Sequence, residues 1–327
     1  MVGRLVKGRF LVFNEITDLK KMKPADVVLG IDLGGTEIKF SLFSLPSMEL
    51  LKSWKKLTMD CGDAEAEPEF ARTIRDEVYG IKKHQNYYLQ KIGLAAPGLP
   101  DKNNQFIEFM PGRLHGLEKL QWSGFFDLGI DVKVVNDGQA ALLAEIWKGA
   151  AVGSKNAVMM SIGTGVGGAI FSDGRLLKGQ IGRAGHLGHV SIDYRGKQDI
   201  CNTPGSIEDA VGQATLYERS YNRFSDFHSL SVGLKSGDPA AQLIWENMLT
   251  SLAANVVSII NIIDPEVFIL GGGIVRSNET LVSELQPWIN KFEWRPANHS
   301  VPIVKASLGP DAGSYGAAYS AINPSVL

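Results

Sequence analysis

Several stretches of this chain set polar side chains where apolar runs end, and each can be read for the chemistry it would support. In GIDLGGTEIKF (Gly30 to Phe40), Asp32 is followed by Gly34, Gly35 and Thr36. An aspartate ahead of a glycine turn often only stabilises that turn. Its carboxylate is also the hard oxygen donor that Mg2+ prefers, so Asp32 is a candidate to hold that ion beside a polyphosphate. In VVNDGQAALLAE, Asn136 and Asp137 close an apolar strand and open a helix. Both types are ordinary helix caps. The chemical alternative makes Asp137 a general base for a hydroxyl, next to the Asn136 amide, which can donate to and accept from a polyol. GRAGHLGHVSID brings His186 and His189 three positions apart among glycines. With Cys201 the one thiol nearby, a structural role or hydrogen bonding to a ligand suits this pair better than zinc does. In CNTPGSIEDAVG, Ser206 and Asp209 belong to a helix start, whereas Glu208 has no such duty if it points inward.

Glycine turns supply a second kind of signal. GTGVGG (Gly163 to Gly168) matches the dinucleotide-binding fingerprint, but it opens the strand-like AIF instead of a helix, so the fingerprint reading fails. No phosphate-loop pattern ending in Gly-Lys-Ser/Thr occurs anywhere in the chain. What remains is a turn, Gly163, Thr164 and Gly165, that repeats the Gly34, Gly35, Thr36 arrangement. Two such turns, each with a threonine and each between apolar strands, indicate a duplicated unit whose backbone N–H groups can clamp a polyphosphate from both sides. In IIDPEVFILGGGIV, Gly271, Gly272 and Gly273 make either a sharp turn or a place where backbone approaches a flat group such as adenine.

These residues need a scaffold, and the periodicity describes one. A hairpin is predicted in VVLGIDLGGTEIKFSLFSL and another in AVMMSIGTGVGGAIFSDGRLL. Between them lie a helix over Glu67 to Lys83, strands in KIGLAAPG and DVKVVND, and a helix from Gly138 to Trp147. Helices over Ser206 to Ser220, Pro239 to Ile263 and Asn278 to Lys291, a strand in VFILGGG and a last helix in AGSYGAAYSAI follow. This alternation argues for an α/β chain with parallel strands beside the hairpins. The expected division is an N-terminal arm, residues 1–26, with a short strand in RFLVF; a first α/β domain, 27–137; and a second, 138–310, with the last helix, 311–327, returning to the first. A chain of 327 residues that is 44 % apolar can bury two cores. Its net charge of −2 supplies no attraction to nucleic acid or an anionic membrane. Cys61 and Cys201 cannot form a disulfide framework, the apolar LAANVVSIINII is broken by Asn255, Ser258 and Asn261, and no secretory leader is legible. The cytoplasm is the expected compartment.

Taken in order, these motifs resemble the ROK family (repressors, open reading frames and sugar kinases) within the actin, hexokinase and Hsp70 superfamily. DLGGTEIKF and IGTGVGGAI resemble its phosphate motifs, ND with the following helix ending in AE its catalytic segment, AGHLGH its sugar signature and LGGGI its adenosine motif. The resemblance covers Val27 to the end. It implies a two-domain actin-like ATPase fold, a duplicated ribonuclease H-like α/β unit with an interdomain cleft. It also implies ATP and Mg2+ as cofactors, a hexose substrate phosphorylated by default at its terminal hydroxyl, and a homodimer. By resemblance Asp137 is the base, and Asn136, His186, His189 and Glu208 contact the sugar. His186 stands where the family carries glutamate, exchanging an acceptor-only carboxylate for a ring that can donate or accept. Of the family's three zinc cysteines only Cys201 matches, with Asp199 and Ser206 at the other positions, so no zinc site is expected. The arm is too short for the helix-turn-helix of repressor members. Two rival readings are a non-catalytic sugar sensor derived from a kinase and a sugar kinase using polyphosphate.

Overall fold

In a computed structural model, which describes residues 24–60 and 67–327, the chain forms two five-stranded sheets of the same design. The arm up to residue 23, with the strand expected in RFLVF, and Cys61 lie outside the described residues. Alternating apolar side chains bury both faces of Ala25–Leu33 (β1), which turns through the first glycine pair into Glu37–Ser44 (β2). Leu50–Leu57 (β3) extends this hairpin at the edge, while Tyr87–Ala96 (β4) and Val132–Asn136 (β5) continue the sheet on the other side of β1 in parallel, in the order β3-β2-β1-β4-β5. The second sheet repeats this. Ala157–Ile162 (β6) turns through the second glycine group into Val166–Ser172 (β7), with Arg175–Leu176 (β8) at one edge. Val267–Gly271 (β9) and Ile303–Lys305 (β10) lie parallel to β6, in the order β8-β7-β6-β9-β10. Two sheets of one order, each led by an antiparallel glycine hairpin, are the duplication read from the turns.

Each sheet carries its own core. Glu69–Lys83 (α1) places Phe70, Ile74, Val78 and Ile81 at helical spacing against the first sheet. Asp137–Lys148 (α2) then leads from the first sheet to the second, where Ile207–Val211 (α3) buries both its terminal apolar residues. Pro239–Ile263 (α4) starts on an Asp238 cap with proline at its first position and buries Leu252, Val256 and Ile260 in the same core. By length and composition α4 could cross a membrane, yet this apolar face is spent inside the protein. Gly272–Ser277 (α5) and Leu281–Phe292 (α6) complete the second core with Val275, Leu285 and Ile289. The final helix, Ala312–Ile322 (α7), crosses back onto the first sheet. Glycines make the crossing possible: a Cβ on Gly30 would stand 1.9 Å from the Ser314 carbonyl oxygen, and one on Gly93 1.8 Å from that of Ala317. Helices α2 and α7 lie so close that a Cβ on Gly316 would meet the Ala140 oxygen at 1.7 Å.

The structure adds one element to the sequence expectations and corrects three. The edge strand β3 has no counterpart in the periodicity, because LLKSWKKL is largely exposed and shows no alternation; it is recruited by pairing with β2 and by stacking of Trp54 on Phe40. The helix expected over Ser206 to Ser220 is interrupted. Helix α3 ends at Gly212, and the N–H groups of Gln213 and Ala214 donate to the Gly163 and Thr164 carbonyls instead of continuing the helix. Gly271 leads straight from β9 into α5, with no intervening turn. The helix expected from Asn278 starts at Leu281, because the Asn278 side chain accepts the Thr280 N–H in a local turn.

Candidate active site

A cleft of 760 Å3 opens between the two sheets, inside the size range of small-molecule sites. Asp32, Gly34, Asp137, the turn Gly163 to Gly165, Glu208, Gly271 and Gly272 all line it. Asp32 lies one residue from the end of β1 and faces Lys39 across the hairpin, the two charges 3.9 Å apart. Burial pushes the Asp32 carboxyl up to about 6; Lys39 opposes the shift, and the charges of Asp137 and Asp311 add to it. No hydrogen-bond donor is assigned to this carboxylate among the described residues, so its oxygens are available to a cation. That donor type fits Mg2+.

The pair Asn136-Asp137 divides two roles that sequence alone leaves joined. Asn136 is the cap of α2: its Oδ1 accepts from Gly138 N (2.9 Å) and Gln139 N (3.4 Å), and the Gln139 side chain accepts the Asn136 N–H in return. Its Nδ2 donates to the Gly98 carbonyl, which leaves one amide hydrogen for a ligand. Asp137 is relieved of capping and holds only its neighbour Gly138 N at 2.8 Å. Its carboxyl is reached by solvent from the cleft but set deep within protein. Burial raises its pKa, against the Gly138 N–H, His186, Asn136 and Arg113.

On the opposing sheet, the glycine turn is fastened by Glu208 at the start of α3. Glu208 Oε2 accepts the Val166 N–H at 2.7 Å, and a Cβ on Gly165 would collide with that oxygen. Glu208 does point inward, and its other oxygen remains for a ligand. His186 precedes a short 3-10 turn, Leu187–His189, and His189 ends it. His186 lies near Asp137 and His189; burial lowers its pKa, Asp137 raises it and His189 lowers it further. His189 Nδ1 contacts Asp199 Oδ2 at 2.8 Å, while Nε2 lies 3.5 Å from Cys201 Sγ. The ligand atoms of His189, Asp199 and Cys201 all fall within 4.8 Å of one another, a group that can be tested for a metal. It fits zinc poorly. The thiol and the carboxylate face different ring nitrogens, and a tetrahedral ion takes only one. Asp199 Oδ1 accepts the Cys201 and Thr203 N–H groups, and Ser206 caps α3. Burial alone would raise the Asp199 carboxyl, but these bonds and the His189 contact hold it below the usual range.

Thr36 closes the first turn, its carbonyl accepting from Thr58 N. Gly271 and Gly272 form the far wall. Gly272 adopts φ +90°, and a Cβ there would collide with the Ile162 backbone. Around Gly273 there is open space, and it does not line the cleft. Sequence reasoning missed Arg113, Glu145 and Ser307, which also line the cleft. Glu145 had a visible signal, as the acidic end of an otherwise apolar helix segment. Arg113 lies in an irregular stretch without periodicity and had none.

A model described as the ROK family matches residues 28–323. A glucokinase of Thermotoga maritima is 30 % identical over 311 residues, spanning 89 % of this chain and 96 % of that one. The crystal structure of a ROK hexokinase from Thermus thermophilus superposes with a TM-score of 0.79 at 26 % identity, over 91 % of this chain and 99 % of that one. A ROK family glucokinase from Streptomyces griseus, in complex with glucose and AMPPNP, shares the fold at a TM-score of 0.71 and 24 % identity, with the same coverage.

Proposed function

The chain belongs to the ROK family, and on that premise we propose that it transfers the terminal phosphoryl group of ATP to a hydroxyl of a hexose. The observation that carries this reading is the position of Asp137: a carboxylate without structural duty, facing a cleft that two glycine turns enter from opposite sheets. Asp137 accepts the hydroxyl proton as the sugar oxygen bonds to phosphorus and the bond to ADP breaks. Phosphoryl transfer depends mainly on positioning and charge stabilisation, which is the work left to the other residues. The turns Gly34 to Thr36 and Gly163 to Gly165 present backbone to the phosphates. Gly271 and Gly272 give the nucleotide's flat end a close approach, with Gly273 beside them at the start of α5.

Sugar contacts fall to the second Asn136 amide hydrogen, the His186 ring, Glu208 Oε1 and His189 Nε2, whose contact with the Cys201 thiol a sugar hydroxyl would replace. Asp32 is the residue that would hold Mg2+, which when bound neutralises charge on the polyphosphate. Use of ATP as donor supports the cytoplasm as the compartment of the reaction. The test is Asp137→Asn. The Oδ1 of asparagine accepts the Gly138 N–H as that of aspartate does, so a structural residue would tolerate the change. Loss of the base instead lowers turnover by about 10²–10⁴-fold while hexose affinity by calorimetry stays within a few-fold. Turnover near that of the wild type would remove Asp137 from the mechanism.

A further inference from the structure

We propose that Arg113 is a catalytic residue whose guanidinium donates to the phosphoryl group during transfer; the assignment rests on the kinase reading of the cleft. Arg113 lines the cleft together with Asp32 and Asp137. A Cβ built on Gly35 would stand 3.8 Å from its Nη1, so the guanidinium lies beside the first glycine turn. Its charge also reaches Asp137. It is therefore placed between the turn that would hold phosphate and the base that would face the acceptor hydroxyl.

Its backbone is fixed while its charge is not neutralised. Gly112 has φ +85° and Leu114 φ +51°, the latter an unfavourable conformation for a leucine. The Leu114 N–H donates to Asp60 Oδ2 at 2.7 Å, and the Leu114 side chain is buried. Between these anchors Arg113 is exposed, and among the described residues no hydrogen bond or ion pair is assigned to it. Lys39, behind Asp32 on the first hairpin, is committed to Asp32 and to the Pro310 carbonyl, which it meets at 2.8 Å. A polyphosphate brings several negative charges against a floor of two carboxylates. A planar guanidinium can donate two parallel N–H groups to oxygens of one phosphoryl group, and such donors count most when charge is redistributed in the transition state.

The experiment compares wild type, Arg113→Gln, Arg113→Lys and Arg113→Ala for turnover with ATP and hexose, and for hexose affinity by calorimetry. Because the side chain is exposed, its removal leaves no cavity, and retained hexose affinity reports that the cleft is intact. For Arg113→Gln, kcat falls by about 10²–10³-fold with hexose affinity within a few-fold. Lysine restores part of the rate by supplying charge without the fork, and added guanidinium partly rescues Arg113→Ala. An Arg113→Gln kcat within about threefold of wild type overturns the proposal, as does a parallel loss of hexose affinity, which would assign Arg113 to the sugar. If the wild type itself phosphorylates no hexose, the kinase reading fails and this assignment with it. If the wild type turns over and only Asp137→Asn is inactive, Arg113 alone is excluded.

Discussion

Glu145 offers the sharpest test of how the two halves are held. It projects from α2 and is fully buried. Its Oε2 accepts from Ala150 N at 2.7 Å and from Ser307 Oγ at 2.9 Å; its Oε1 accepts from Ser307 N at 2.9 Å and Leu308 N at 3.0 Å. Ala150 belongs to the segment leaving α2 for the second sheet, and Ser307 and Leu308 to the segment returning to α7. One carboxylate therefore clasps both connections between the sheets. In Glu145→Gln one of the two oxygens becomes an NH2 group that confronts two donors. Hydrogen bonds to a charged group contribute about 1.5–3 kcal/mol each, so losing two costs roughly 3–6 kcal/mol. Against a total stability of about 5–15 kcal/mol this is a large fraction. For a chain of this size the expected fall in Tm is on the order of 10 °C. Scanning calorimetry reads it, together with Ser307→Ala in the wild-type and Glu145→Gln backgrounds. If the Ser307 Oγ donates to Glu145, Ser307→Ala costs less in the Glu145→Gln background than in the wild type. A Glu145→Gln midpoint within about 2 °C of wild type, or full additivity of the two changes, refutes the clasp.

Further outcomes follow from the site. Because burial raises both Asp32 and Asp137, the first to about 6, kcat/KM falls as pH drops through about 6. The stability contribution of Asp32 runs the other way: between its ordinary value and about 6 the folded state binds the proton more tightly, so the deficit of wild type relative to Asp32→Asn narrows from about pH 7 to about pH 5. An acid limb at ordinary carboxylate values would refute the burial argument. Purified protein should hold no stoichiometric zinc, and Asp199→Ala, which removes the partner of His189 Nδ1 and of two backbone N–H groups, should weaken hexose binding about tenfold, the effect of losing roughly one charged hydrogen bond. Elemental analysis finding about one zinc per chain that resists mild chelation would overturn this reading.

What could be read from sequence was local. Asp32, the two Gly–Thr turns and the Asn136-Asp137 pair stand where apolar runs end, so residue type and periodicity announce them together, and the last helix is found over its full length because AGSYGAAYSAI has no breaker after Gly316. Silence begins where a residue's partner is far away in the chain. Glu145 is separated by 162 and 163 positions from Ser307 and Leu308, and nothing around it states that it faces them. The end of α3 at Gly212 is set by the carbonyls of Gly163 and Thr164 in the neighbouring glycine turn, a tertiary demand that overrides helical periodicity.

Glu208 shows why this matters for function. As a sequence feature it is one acid in a helix start, but in the fold its carboxylate grips the second glycine turn through Val166 N–H while facing the cleft. A hexose that hydrogen-bonds to Glu208 would therefore press on the turn proposed to hold the nucleotide's phosphates. Sugar binding and phosphate positioning would share one side chain, a coupling visible only once residues 166 and 208 are brought within hydrogen-bond distance.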